Sequence, residues 1–451
     1  MGIWAGRAAT EIAASVRAGD VTARDVVQEH LDQIAARDGE LNAFVKVRQG
    51  AALDEAAEID ARQDMTDLPL AGVPVAIKDN IQVAGEPMRS GSAATPPGPQ
   101  EKDHPVVARL RAAGAVVVGI TNLPELGIFP FSDSAYGITR NPWDLSRTAG
   151  GSSGGSASAV ASGMVAIGHG NDGAGSIRIP AANCGLFGLK PGTGVVPAEL
   201  GIDDWAGMSE NGPLATTVAD AALMLSVLAA DPALASVTEP APLRIALSVK
   251  PPAAGVLVHR DFVGAVKATG RVLHDLGHTV EAEDPRYPVW AANAVIVRWL
   301  ACPAAEAVPY RAADLEARTR RHAAAGRLLS RVRPPRDDDR VRLRDVLAPF
   351  FEAHDVLVMP TLAQYAPRAR RYGEGSWLRS VVTSLRYAPM TGTWNLAGYP
   401  AASVPAGLGP NGLPMAVQLV AAPGGEAMLL GLAAQLERVR PWDRLAPPRP
   451  R

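Results

Sequence analysis

Residues 150–180 read GGSSGGSASAVASGMVAIGHGNDGAGSIRIP. Two glycine-wrapped serine clusters, 150–156 and 171–176, are joined by small, mostly apolar residues. Glycine opens backbone conformations closed to other residues and lets the chain come close to a ligand. A serine hydroxyl in such a loop can be a nucleophile, with neighbouring backbone N–H groups as an oxyanion hole. Two such places this close together suggest a relay of hydroxyls rather than one isolated serine. The joining run, 157–167, is too short to span a bilayer and reads as a buried helix.

Around this stretch lie 451 residues, enough for one large α/β domain or two to three smaller ones. A chain this long can bury a substantial core. A formal net charge of −2 gives no global attraction to nucleic acid or to an anionic membrane. Two cysteines, Cys184 and Cys302, are too few for a disulfide framework. The eight histidines show no metal-ligand spacing and read as surface or core residues. There is no signal-peptide pattern and no apolar run of bilayer length, which points to a cytoplasmic location without a membrane partner.

Helical and strand patterns alternate along the chain, the mark of an α/β fold. Helix is expected over 10–37, with Thr22 and Asp25 as a capping start, and over 51–62 and 105–113. Short apolar strands are expected at 70–80, ending in Lys78, and at 115–119. A second α/β stretch follows: strand 243–247, helix 260–276, strand 279–283. Residues 310–346 are arginine-rich and helical, interrupted at Pro334-Pro335. Strand 355–359 comes next. Residues 364–388 show no period and read as a loop or lid. Residues 395–437 read as strand, turn, strand and final helix, and the tail after Pro441 reads as poorly ordered.

Lys78 follows the apolar run Val73, Val75, Ile77, so a strand carries it inward. Desolvation of a buried lysine favours the neutral amine, which can act as a general base. The plainer reading is a strand-end lysine that reaches solvent. Residues 151–155 match G-x-S-x-G, the nucleophile elbow of α/β-hydrolases, with Ser153 at its centre. That elbow needs a preceding strand, and 144–149 do not read as one. Ser176 ends a run of small residues able to aim several N–H groups at one point. The plainer readings are a glycine-serine loop and an ordinary tight turn. Cys184 sits in an apolar context and reads as a small core residue.

Together these residues resemble a family. The G-V-P-V-A-I-K-D-N run ending at Asn80, then G-G-S-S-G-G-S from Gly150, then D-x-x-G-S-I-R-I-P-A-A-x-C-G from Asp172 resemble the amidase signature family. Further matches fall in the expected order, among them 121–125, 141–143, 188–191, 212–215, 360–361 and 395–400. The resemblance implies a single large α/β domain over 1–451, with a central mixed, twisted β-sheet flanked by helices on both faces. It places the motif-bearing core at 65–225 and 390–440 and a more variable, substrate-pocket region at 240–390. It implies Ser176 as nucleophile, Ser152 as bridging serine after a cis peptide bond, and Lys78 as base. The oxyanion hole would be the backbone N–H groups of Gly173, Ala174, Gly175 and Ser176, with Ser153, Asp172 and Arg178 in support. The family usually has glycine where this chain has Ala174. Alanine is disfavoured if that position needs a positive φ, and its methyl narrows the mouth of the hole.

The implied function is hydrolysis of a small or medium carboxamide through an acyl-enzyme that needs no metal or cofactor, in secondary metabolism or catabolism, with a homodimer suggested. One alternative is the glutaminase-type subunit of an amidotransferase, which typically carries glutamine where this chain has Ile179. Another is docking of an acidic carrier protein on the arginines 318, 320, 321, 327, 331, 333, 336, 340, 342 and 344. Interspersed Asp337, Asp338 and Asp339 favour a solvated helix face there instead. Pocket residues are expected from 121–136 and mostly from 285–390. Trp205, Trp290, Trp299, Trp377 and Trp394 are the aromatic candidates for its lining.

Overall fold

The structure of the chain, a computed structural model, describes residues 2–447. Eleven strands form one mixed sheet. They are β1 Phe44–Val47, β2 Pro74–Lys78, β3 Val116–Thr121, β4 Ile167–Asp172, β5 Phe187–Lys190, β6 Glu210–Ala215, β7 Arg244–Leu247, β8 Thr279–Ala282, β9 Val356–Pro360, β10 Ala401–Leu408 and β11 Pro414–Ala421. Their spatial order is β1-β3-β2-β4-β6-β5-β10-β11-β9-β7-β8. Helices flank the sheet, and the whole is a single α/β domain.

β2 and β3 are Val/Ile-rich and buried along their whole length, as parallel strands covered on both faces must be. β4 is also fully buried, although two of its six residues are glycine. Those glycines make room for what packs on the strand. A Cβ on Gly168 would lie 3.0 Å from Val160, and one on Gly170 would lie 3.0 Å from the Ser153 hydroxyl. β2 runs parallel to β4 with Val75 level with Ile167, so Lys78 and Asn171–Asp172 leave the sheet at the same end. Ligands in open α/β sheets bind at the carboxyl ends of strands.

Most expected elements appear within a residue or two of their expected bounds. The helix expected at 10–37 is two, Ala9–Ala18 and Ala23–Leu41. They break at left-handed Gly19, and Thr22 caps the second by accepting from Asp25 N–H at 3.0 Å. The run 157–167 is not one helix. Helix Gly154–Ala161 ends early, and Ile167 already belongs to β4. Residues Asp144–Thr148 are a strand after all, paired with Arg140–Asn141. Being polar and partly exposed, this ribbon lacks an apolar alternation, and it lies outside the large sheet. Residues 364–388 contain helix Trp377–Tyr387, whose inward face is Ser380, Ser384 and Tyr387 while Leu378 and Val382 face out. Its polarity runs opposite to the usual core-facing pattern. The tail is ordered to Ala446: the Trp442 indole donates to the Thr216 carbonyl, and Ala446 N–H to that of Ala161. Residues 448–451 lie outside the described residues.

Candidate active site

Three segments meet at the carboxyl ends of β2 and β4. β2 delivers Lys78, wholly buried. The first serine cluster enters helix Gly154–Ala161, with a cis peptide bond between Gly151 and Ser152. The second cluster leaves β4 and turns into helix Arg178–Cys184. The backbone ties the two clusters together, Ser153 N–H donating to the Ser176 carbonyl at 3.1 Å.

Lys78 Nζ lies 2.8 Å from Ser152 Oγ, 2.6 Å from Asn171 Oδ1 and 3.3 Å from the Asn171 carbonyl. Desolvation pushes its pKa down to about 7, against the pull of Asp172. A neutral amine has two N–H groups and one lone pair. Asn171 presents two acceptors, and the Ser152 hydroxyl supplies a donor for the lone pair. Asn80 fixes the amide of Asn171, accepting from its Nδ2 at 2.7 Å.

Asp172 organises the second loop. Its Oδ1 accepts from Gly175 N–H, and its Oδ2 from Ile177 N–H at 3.1 Å. Arg178 clamps both oxygens, Nε at 2.9 Å and Nη2 at 3.0 Å, with both side chains fully buried. Burial alone would raise the Asp172 carboxyl, but the charge and hydrogen bonds of Arg178, helped by Asn395, hold it below the usual carboxylate range. The other side of Arg178 is met by the Gln418 side chain and the Thr391 carbonyl. Thr391 Oγ1 in turn donates to the Ala174 carbonyl.

With Gly175 N–H taken by Asp172, no described residue accepts from the N–H groups of Gly173, Ala174 or Ser176. Ala174 has a negative φ, so alanine is unstrained there, and the positive φ of 127° falls on Gly175. Ser176 is partly exposed, and its hydroxyl has no hydrogen-bond partner among the described residues.

Ser176, Gly127 and Trp205 line two chambers at once. The first is apolar, with Ile128, Phe129, Ile179, Val295, Trp299 and Leu385 in its wall, and Ala174 narrows it. The second is lined by Asn80, Ser90, Ser152, Asn171, Glu306 and Tyr310 among others. They enclose about 830 and 890 Å³ of space, counting their open mouths. The first chamber's lining comes from 127–130, 292–299 and 384–393, and also from Pro252 and Ala253. Trp205 and Trp299 reach the walls. Trp394 is core, Trp290 stacks under Arg342, and Trp377 donates to His322.

The expected arginine cluster is divided. Arg318 is buried and paired with Asp133 at 2.9 Å, while Arg340 and Arg344 bond to Thr193 and to the Ala397 carbonyl. Asp339 is buried against Arg298 rather than solvated. Arg321, Arg327, Arg331 and Arg333 are exposed. Sequence reasoning gave no role to Asn80, Asn171, Thr391, Asn395 or Gln418. Asn80, Asn171 and Asn395 lie inside motifs quoted above, and Gln418 lies inside the 413–419 strand that also resembles the family, whereas Thr391 carries no local signal.

A lysine and two serines thus come together at strand ends, beside backbone N–H groups that have no partner among the described residues. Residues 25–430 match the family model described as Amidase, and the chain belongs to the amidase signature family; it is an amide hydrolase. A Mycobacterium tuberculosis protein named AmiB2 is 42% identical over 441 residues, 95% of each chain. Among solved structures, 6-aminohexanoate cyclic dimer hydrolase superposes with a TM-score of 0.89 at 29% identity, covering 97% of this chain and 98% of that one. A bacterial aryl acylamidase of the same family gives 0.85 at 28% identity, with 98% of each covered. Among the described residues, no helix is long and apolar enough to cross a membrane.

Proposed function

We propose that the chain hydrolyses linear carboxamides through an acyl-enzyme on Ser176, with Ser152 and Lys78 as its proton relay. The observation that carries this reading is Lys78. It is a buried, desolvated amine whose two acceptors and one hydroxyl neighbour match a neutral base. Lys78 takes the Ser152 proton, Ser152 takes that of Ser176, and Ser176 Oγ attacks the amide carbonyl. Negative charge then develops on the carbonyl oxygen, facing the N–H groups of Gly173, Ala174 and Ser176. Removing one such donor typically costs about 10²–10³ in rate. The C–N bond breaks as the relay runs backward and protonates the leaving nitrogen. Water, deprotonated along the same path, releases the carboxylic acid.

The buried Asp172–Arg178 pair supports the reading by holding the loop while neutralising its own charge. Ile179 in the apolar wall supports a stand-alone amidase over a glutaminase-type subunit. Two experiments test it. Ser176→Ala should abolish amide hydrolysis while the protein keeps its melting temperature. A serine-reactive fluorophosphonate should label Ser176 alone in peptide mass spectra. Full activity in the variant, or labelling at Ser152 or Ser153, would overturn the assignment.

A further inference from the structure

Asp203, Asp204, Trp205 and Ala206 form one left-handed turn, with φ values of 49°, 50°, 54° and 53°. L-residues avoid that conformation, and four in succession persist only where neighbours hold them. Leu200 N–H donates to Asp204 Oδ1 at 2.6 Å, and Ser209 N–H to the Asp204 carbonyl at 2.9 Å. The turn sets the Trp205 indole between the two chambers. Its N–H donates to Glu306 Oε1 at 2.7 Å. Ile202 N–H also serves the carboxylate. The carboxylate rests against Gly201, where a Cβ would come within 1.9 Å of Oε1.

A cradle has therefore been built for one carboxylate in the wall of the second chamber. No lysine, arginine or histidine among the described residues pairs with it. Burial, with no cation to offset it, pushes its carboxyl up to about 7. Among the described residues, Glu306 is the one carboxylate lining that chamber, and no basic side chain lines it. A partly buried anion without a counter-charge in an open cavity lacks a partner that a ligand can supply.

The chambers divide the substrate. Ser152, which hands its proton to the leaving nitrogen, lines the second chamber and not the first. The amine half therefore lies beside Glu306, and the acyl half against the apolar wall of Phe129, Val295 and Trp299. We infer that the preferred substrates are amides with an apolar acyl group whose leaving amine carries a second, cationic nitrogen, and that Glu306 is the specificity-determining residue that receives it. This rests on the acyl-enzyme reading given above.

The test compares N-(4-aminobutyl)phenylacetamide with its uncharged isostere N-pentylphenylacetamide at a pH of about 8. A charge-assisted hydrogen bond to Glu306 should raise kcat/KM for the aminobutyl amide by about tenfold or more. Glu306→Gln should bring the ratio of the two close to one. Calorimetric binding of both amides to the Ser176→Ala protein should show the same preference without turnover. That preference carries the test if Glu306→Gln fails to fold. Equal kcat/KM values in the natural chain, equal affinities in the calorimeter, or an undiminished ratio in Glu306→Gln would overturn the role of Glu306. If neither amide were hydrolysed although the aminobutyl compound bound more tightly, the acyl-enzyme reading would fall and Glu306 would stand.

Discussion

At the scale of single residues, the site turns on whether one amine is charged. Lys78 has no carboxylate in contact, and desolvation is the largest influence on it. The sign of the pH dependence follows. An ammonium has no lone pair, so the relay is closed below about 7 and open above it. We expect kcat/KM to fall about tenfold per pH unit below that point and to level off above it, measured with an uncharged amide. Lys78→Met should remove about 10²–10⁴ of the rate together with that limb of the profile. A profile flat from about pH 5 to 9 in the natural chain would contradict a neutral-lysine base. Lys78 could be read from the sequence because an apolar strand leads straight into it. Its acceptor Asn171 could not, since that contact joins two strands 93 positions apart.

At the scale of elements, the loop from β4 to helix Arg178–Cys184 shows which positions can vary. In sequence the concern falls on Ala174, because the family usually has glycine there. The backbone puts the demand on Gly175 instead, with its φ of 127° and a Cβ position 2.3 Å from Thr391 Oγ1. Gly175→Ala should therefore lower kcat by about 10² or more, through displacement of the N–H groups on either side. Ala174→Gly should keep the fold and shift kcat/KM toward bulkier acyl groups, since the methyl it removes lines the apolar chamber. A panel of amides with graded acyl groups reads both, and equal activity of Gly175→Ala with the natural chain would refute the loop geometry. Helix Trp377–Tyr387 was illegible for a different reason. Its buried face is Ser380, Ser384 and Tyr387, while of its apolar stripe Leu378 and Val382 point to solvent and Leu385 points into the apolar chamber.

At the scale of the whole molecule, alternating elements made the α/β class readable, but the strand order was not. The order depends on pairings such as β5 with β10, more than 200 residues apart, which leave no local pattern. The far end of the chain was misread on the same ground, since its composition lacks a period while its contacts are long-range. Trp442 and Arg444 bond to Thr216, just beyond β6, and Ala446 bonds to Ala161, the last residue of the helix that begins beside Ser152. The C-terminus thus clips two elements that carry the site, from the side away from the chemistry. Partial burial of one tryptophan and three hydrogen bonds together contribute about 3 kcal/mol. With an unfolding entropy of about 2.1 cal/mol/K per residue, a chain of this length loses roughly 3 °C of melting temperature for that amount. Ending the chain at Arg440 should therefore lower the melting temperature by about 3 °C while leaving kcat/KM at 25 °C within about twofold. An unchanged melting temperature would show that the tail contributes nothing to the fold. A large loss of kcat/KM in a truncated protein that still melts cooperatively would mean instead that the clip sets the position of Ser152, the stronger of the two roles this contact can have.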